Sequence, residues 1–134
     1  MIAVVCVDDR GGMLFNRRRQ SQDRVLRGDL LALAAGRPVW MNGYSLGQFG
    51  PETGDLRTAE DCLDRAGKGE LCFVETTDPA PWLERMEGLV LYRWNRRYPA
   101  DLYCTLPLED FVLEERREFA GSSHECITRE VYRR

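Results

Sequence analysis

Histidine is nearly missing from this chain: His124 is the only one among 134 residues. Zinc sites want clustered Cys and His, and a two-metal nuclease wants several histidines and acids, so neither chemistry finds its ligands here. The five cysteines (Cys6, Cys62, Cys72, Cys104 and Cys126) are odd in number and form no CxxC pair. They read as reduced, half-buried thiols of a cytoplasmic protein, without a disulfide or a metal. A basic excess is also missing. The net charge is −3 and the pI near 5.3, which argues against a nucleic-acid partner, since phosphates are neutralised by surplus Lys and Arg. No apolar run is long enough for a membrane span. The apolar start, Met1 to Val7, lacks the basic lead of a signal peptide. Repeats, low-complexity tracts and internal linkers are absent as well.

What remains is a globular composition, 43% hydrophobic and 31% charged, in a length that suits one domain over residues 1–134. Residues 2–7 form a continuous apolar run between Asp8-Asp9 and the start of the chain, the pattern of a central strand covered on both faces. A long polar loop is expected through Asn16–Ser21, then a helix over about 22–35, stopped by Gly36. Residues 38–41 read as a strand, with a turn at Asn42-Gly43 and one or two helical turns over 44–49. A loop covers 50–54. Thr58-Ala59-Glu60-Asp61 resembles a capping box for a helix ending near Ala66. Strands are expected over 71–75 and 89–94, with a short helix to about Met86 that opens on Asp78-Pro79. Residues 102–104 add an extended piece. Residues 111–119 and 126–132 read as two antiparallel edge strands with one wet face, joined through Gly121-Ser122-Ser123-His124. Alternating strands and helices predict an α/β fold with a mostly parallel sheet.

At specific places the chain resembles the dihydrofolate reductase family. The first strand runs into a loop containing Gly12-Met13. A helix follows, then Arg37-Pro38-Val39-Trp40-Met41 with Gly43 close behind. Glu70-Leu71-Cys72-Phe73-Val74, Leu89-Val90-Leu91-Tyr92 and the closing Val131-Tyr132-Arg133-Arg134 continue the family's order. The resemblance implies a three-layer dihydrofolate reductase-like fold: a mixed, mostly parallel sheet, helices on both faces and a C-terminal antiparallel hairpin. The stretch around 50–56 is too short for the strands a full reductase carries there.

The resemblance also implies what is missing. The family places a glycine pair after the strand matching Leu71–Val74, where a dinucleotide pyrophosphate meets a helix start. Here the segment is Glu75-Thr76-Thr77-Asp78-Pro79, with two carboxylates and no glycine. After the second strand the family holds a cofactor phosphate with a basic group, and here Asn42-Gly43-Tyr44-Ser45 offers none. No cofactor is therefore expected. Asp23 lies near the family's substrate-binding acid, so it is the candidate catalytic residue; the plainer reading is an acid that favours the start of a helix.

Arg17, Arg18, Arg19 and Arg24 are the candidate anion-binding group, because arginine forks fit phosphate and carboxylate. A solvated loop is the plainer reading. Asn16, Gln20, Ser21, Tyr44 and Ser45 are candidate ligand-facing residues. Tyr92 and Trp94 alternate with Arg93, which fits core aromatics on one face of a strand as readily as a stacking surface. Ser122, Ser123 and His124 are expected to form a polar turn and not a catalytic pair, since sequence neighbours seldom bring serine and imidazole together with an orienting group. The expected function is a non-reductase module that binds a small anionic ligand or a protein partner. The alternative is a small enzyme acting on a nucleotide or pterin-like substrate, a reductase or a nuclease.

Overall fold

In the computed structural model of the chain, residues 1–50 and 54–134 are described; residues 51–53 of the expected 50–54 loop lie outside them. Residue alternation along the first strand, β1 (Ile2–Val7), sets up the architecture. Ala3, Val5 and Val7 join one buried cluster, and Val4 and Cys6 join another, because successive strand side chains point to opposite faces. With both faces covered, the run has no polar stripe.

The sheet that β1 centres is built from β4 (Val39–Met41), β5 (Leu56–Thr58), β6 (Leu71–Val74), β7 (Gly88–Arg93), β9 (Val112–Phe119) and β10 (Ile127–Arg133). Its order is β5-β4-β6-β1-β7-β10-β9. The strands from β5 to β7 are parallel, and β10 runs antiparallel to both β7 and β9. On one face lies α1 (Arg24–Ala34), burying Leu26, Leu30 and Ala34 against Val4, Phe73, Val90 and Tyr92. On the other lie α2 (Cys62–Arg65) and a 3-10 turn over Ala80–Arg85. The fold is therefore the expected three-layer α/β arrangement.

Four local expectations are corrected. The segment expected as a polar loop folds as a hairpin, β2 (Gly12–Phe15) and β3 (Arg18–Arg19), which pairs with β8 (Leu102–Tyr103) in a second small sheet. Its turn residues Asn16 and Arg17 both have positive φ, 52° and 63°, the pattern of a tight two-residue hairpin turn. Thr58 ends β5 instead of capping a helix, and Glu60 turns away to accept the Gly43 N–H at 2.9 Å. The helix after β6 is a 3-10 turn whose N-cap is Pro79, with no side-chain cap; Asp78, one position earlier, accepts from Ala80 N at 3.1 Å. Finally, β10 is not an edge strand. Its Thr128, Arg129 and Glu130 are buried between β7 and β9, where Asn95, Asp29 and Arg93 bond to them, although Arg129 Nε has no partner among the described residues. Of these two strands β9 alone is an edge, and its exposed charged side chains blunt that edge against further pairing. No helix among the described residues is long and apolar enough to cross a membrane.

Candidate functional site

In an open parallel sheet the strand termini, not the strand bodies, present side chains and backbone groups to a ligand. Here the carboxyl ends of β1, β6 and β7 lead into Asp8, Glu75 and the segment from Trp94 to Pro99. The β2–β3 hairpin folds over them.

Asp8 is buried and organises this end. Its carboxylate accepts from the N–H groups of Arg10, Gly12 and Tyr98 at 2.9, 2.8 and 3.2 Å, and from Gln20 Nε2 at 3.1 Å. Burial pushes its carboxyl up, but those hydrogen bonds outweigh burial and hold it below the usual range. Beside it, Glu75 takes the Arg19 guanidinium in a fork, at 3.1 and 3.2 Å, and also accepts from Ser45 Oγ and Gln48 Nε2. Tyr44 completes the clamp. Its hydroxyl accepts from Arg19 N, and the guanidinium lies 4.2 Å from its ring centre.

Between the hairpin and the 98–99 segment is a cleft of about 370 Å³, lined by Phe15, Asn16, Arg18, Arg19, Gln20, Tyr98 and Pro99. Four of the sequence candidates, Asn16, Arg18, Arg19 and Gln20, thus come together. The Arg19 charge is matched by Glu75, whereas the Arg18 side chain has no ion-pair or hydrogen-bond partner among the described residues. Phe15 stands at the rim, 48% exposed. The other candidates fall elsewhere. Arg17 occupies the hairpin tip, Tyr44 and Ser45 are spent on Arg19 and Glu75, and Ser21 Oγ contacts Gln22 O at 3.5 Å. Arg24 meets Ser122 only through its backbone N–H.

Asp23 does not face this cleft. It is 2% exposed and caps α1, accepting from Leu26 N at 2.9 Å through Oδ1. Its Oδ2 accepts both the N–H and the hydroxyl of Ser123, at 2.7 and 2.6 Å. Burial alone would raise its pKa, but the Ser123 and Leu26 hydrogen bonds hold it at about 2. The Ser–His contact that a tight turn was expected to disfavour is present: Ser123 Oγ lies 2.6 Å from His124 Nδ1. On the far side of the ring, Nε2 lies 2.7 Å from Tyr98 Oη, and Trp94 stacks on the imidazole at 4.8 Å.

Proton counting fixes the direction of this chain. Ser123 has one hydroxyl proton and gives it to the ionised Asp23. His124 Nδ1 must then carry a proton toward Ser123, which leaves Nε2 to accept from Tyr98. Sequence reasoning missed the chain because Asp23 and Tyr98 lie far from the 121–124 turn along the sequence. The array is no nucleophilic triad, since the serine sits between acid and base with its proton already donated to the acid.

At the end of β6 is a second hollow of about 290 Å³, lined by Glu60, Asp61, Asp64, Glu75 and Trp82 among others. Its acids are already engaged: Glu60 with Gly43, Asp61 with Arg65, and Asp64 with Trp82. No group of three or more His, Cys, Asp or Glu among the described residues is placed to hold a metal ion.

No family model matches the chain, and no curated protein matches it by sequence. Among solved structures it is similar to dihydrofolate reductase from Enterococcus faecalis, complexed with NADP(H) and RAB-propyl. The TM-score is 0.68 and the identity 9%, over 99% of this chain and 95% of that one. The dihydrofolate reductase-like fold is thereby established, and at that identity nothing beyond the fold.

Proposed function

We propose that this dihydrofolate reductase-like domain is not a reductase but a binding module that takes a small anion in the cleft under the β2–β3 hairpin. The observation that carries this reading is Arg18, a guanidinium without a partner among the described residues, in a cleft that Asn16 and Gln20 also line. A free fork of donors beside apolar surface suits a carboxylate or phosphate with a flat body. At about 370 Å³ the cleft holds a single-ring molecule and not a dinucleotide. The fixed arginine fork of Arg19 supports the wall without adding net charge.

The segment after β6 speaks against a dinucleotide cofactor. Asp78 accepts from Ala80 N and from Thr105 N, both at 3.1 Å, so the donors a phosphate would use are engaged. Glu75 lies at the end of the same strand. Its carboxylate is already committed to Arg19, Ser45 and Gln48, so it offers a phosphate no donor.

The test is calorimetric titration with inorganic phosphate and with benzoate at low salt, on the wild type and on Arg18→Ala. Binding that weakens tenfold or more in Arg18→Ala is expected, since a charge-assisted fork contributes about 1.5–3 kcal/mol. Equal binding by both proteins would remove the cleft from consideration. A second reading, a small enzyme, draws on the hydrogen-bonded chain from Asp23 to Tyr98. It would use Tyr98, not Asp23, as the group in contact with substrate.

A further inference from the structure

We infer that the cleft takes up a proton together with its anion, and that Tyr98 couples the two events by reversing its hydrogen bond to His124. The inference rests on the anion-binding reading above and adds the class of ligand, a weak acid bound as its conjugate base.

Tyr98 has two neighbourhoods. It lines the cleft, and its hydroxyl reaches His124 Nε2 at 2.7 Å. While His124 is neutral, the Tyr98 proton points at Nε2 and is withheld from the cleft. When His124 gains a proton, Nε2 becomes a donor, Tyr98 Oη must accept, and its own proton turns outward. An anion in the cleft then finds a donor in Tyr98 beside the Arg18 fork. A neutral acid reaches the same end state by donating its proton to Tyr98 Oη as Tyr98 passes its own to Nε2. The products are the conjugate base and a histidinium, with no atom or electron unaccounted for.

The far side of the ring, at Nδ1, keeps its hydrogen bonds in either charge state. Nδ1–H donates to Ser123, and Ser123 donates to the buried carboxylate of Asp23. Other charges near the ring come from two segments. Arg96 and Glu125 line a small hollow against the imidazole, together with Trp94 and Cys126. Burial and then Arg96 hold the His124 pKa below the usual value, while Asp23 opposes them. Free His124 is therefore neutral near pH 7, and bound anion shifts it toward the charged form.

Since His124 is the single histidine, its Cε1 proton gives one unobscured NMR titration. Benzoate serves as the probe and benzamide as its neutral isostere. Saturating benzoate is expected to raise the His124 midpoint by roughly half a unit or more, the size expected of one charge several ångströms away. Benzamide is expected to leave it in place. By reciprocity, benzoate should bind several-fold more tightly below the midpoint than above it. In Tyr98→Phe the ring wall remains and the hydroxyl is gone, so the benzoate-induced shift should fall by half or more at saturation. Benzoate that binds without moving the midpoint would overturn the coupling and leave the anion site standing, as would an undiminished shift in Tyr98→Phe. If neither benzoate nor phosphate binds at any pH, the anion-binding reading falls and the coupling with it.

Discussion

Asp23 receives both the N–H and the hydroxyl of Ser123, at 2.7 and 2.6 Å, across a hundred positions of chain. One carboxylate thereby caps α1 with one oxygen and pins the β9–β10 turn with the other. The acid that sequence order suggests for substrate binding is committed to holding two elements together.

That commitment gives stability a pH signature. The Asp23 pKa is held at about 2, below its unfolded value near 3.9. A depressed carboxylate stabilises the fold fully above the unfolded pKa, and the contribution is lost as pH falls through the folded one. A depression of nearly two units corresponds to roughly 2–3 kcal/mol. Urea unfolding should therefore show stability declining between about pH 4 and pH 2 in the wild type. Asp23→Asn should lose about 2 kcal/mol at neutral pH and show a flatter profile. A profile identical to the wild type would mean that the Ser123 hydrogen bonds contribute nothing.

The same junction leaves no room for a side chain at Gly121. A Cβ there would stand against Asp23 Oδ2 and 2.6 Å from Ile127 Cδ1. Gly121→Ala is expected to cost about 1–3 kcal/mol through overpacking. Gly28→Ala is the control: a Cβ at that position of α1 meets nothing within 4 Å. It should stabilise by up to about 1 kcal/mol, because alanine loses less backbone freedom in a helix. If both variants shift the urea midpoint the same way, the packing account of Gly121 is wrong.

The sheet was legible in the sequence because its signals are local. Ile2–Val7 and Leu71–Val74 are apolar without interruption since each is covered on both faces. The errors arise where a distant partner decides. Residues 126–132 read as an edge strand with one wet face, yet Thr128, Arg129 and Glu130 are buried and bonded to Asn95, Asp29 and Arg93. Thr58 reads as a cap until β4 claims it as a strand. Asn16-Arg17 makes a hairpin turn without the glycine that usually marks one. The arginine cluster was legible as charge, but its division into a neutralised Arg19 and a free Arg18 depends on Glu75, 56 positions away from Arg19.

Arg17 offers a direct measure of strain at that turn. Its φ of 63° lies where glycine is at ease and a side chain is crowded. Arg17→Gly should stabilise the protein by about 0.5–1 kcal/mol in urea unfolding, despite the added freedom of the unfolded chain. A loss of stability would show that the Arg17 side chain contributes more than its backbone costs.

NADPH is expected to show no heat of binding in titration calorimetry at micromolar concentrations. Asp78 occupies the N–H donors of Ala80 and Thr105, and the segment Glu75–Pro79 holds no glycine to permit close approach of a pyrophosphate. Micromolar affinity would return the reductase reading to first place.

The charge balance of the cleft can be changed from its back wall. Glu75 neutralises Arg19 through a fork that is largely shielded from water. Glu75→Gln keeps an oxygen for Ser45 and Gln48 but turns an amide toward the guanidinium. The fold should lose about 2 kcal/mol, because a shielded cation is left without its counter-charge. Arg19 would then join Arg18 as an unmatched cation in the same cleft, so phosphate affinity should rise by roughly threefold to tenfold. Stability and affinity are thus predicted to move in opposite directions, which a general loosening of the fold would not produce. The double variant Arg19→Met, Glu75→Gln separates the two effects. Removing the orphaned charge should recover most of the lost stability and return phosphate affinity to the wild-type level. Affinity that stays unchanged in Glu75→Gln would show that a ligand in the cleft does not sense Arg19, leaving Arg18 to act alone.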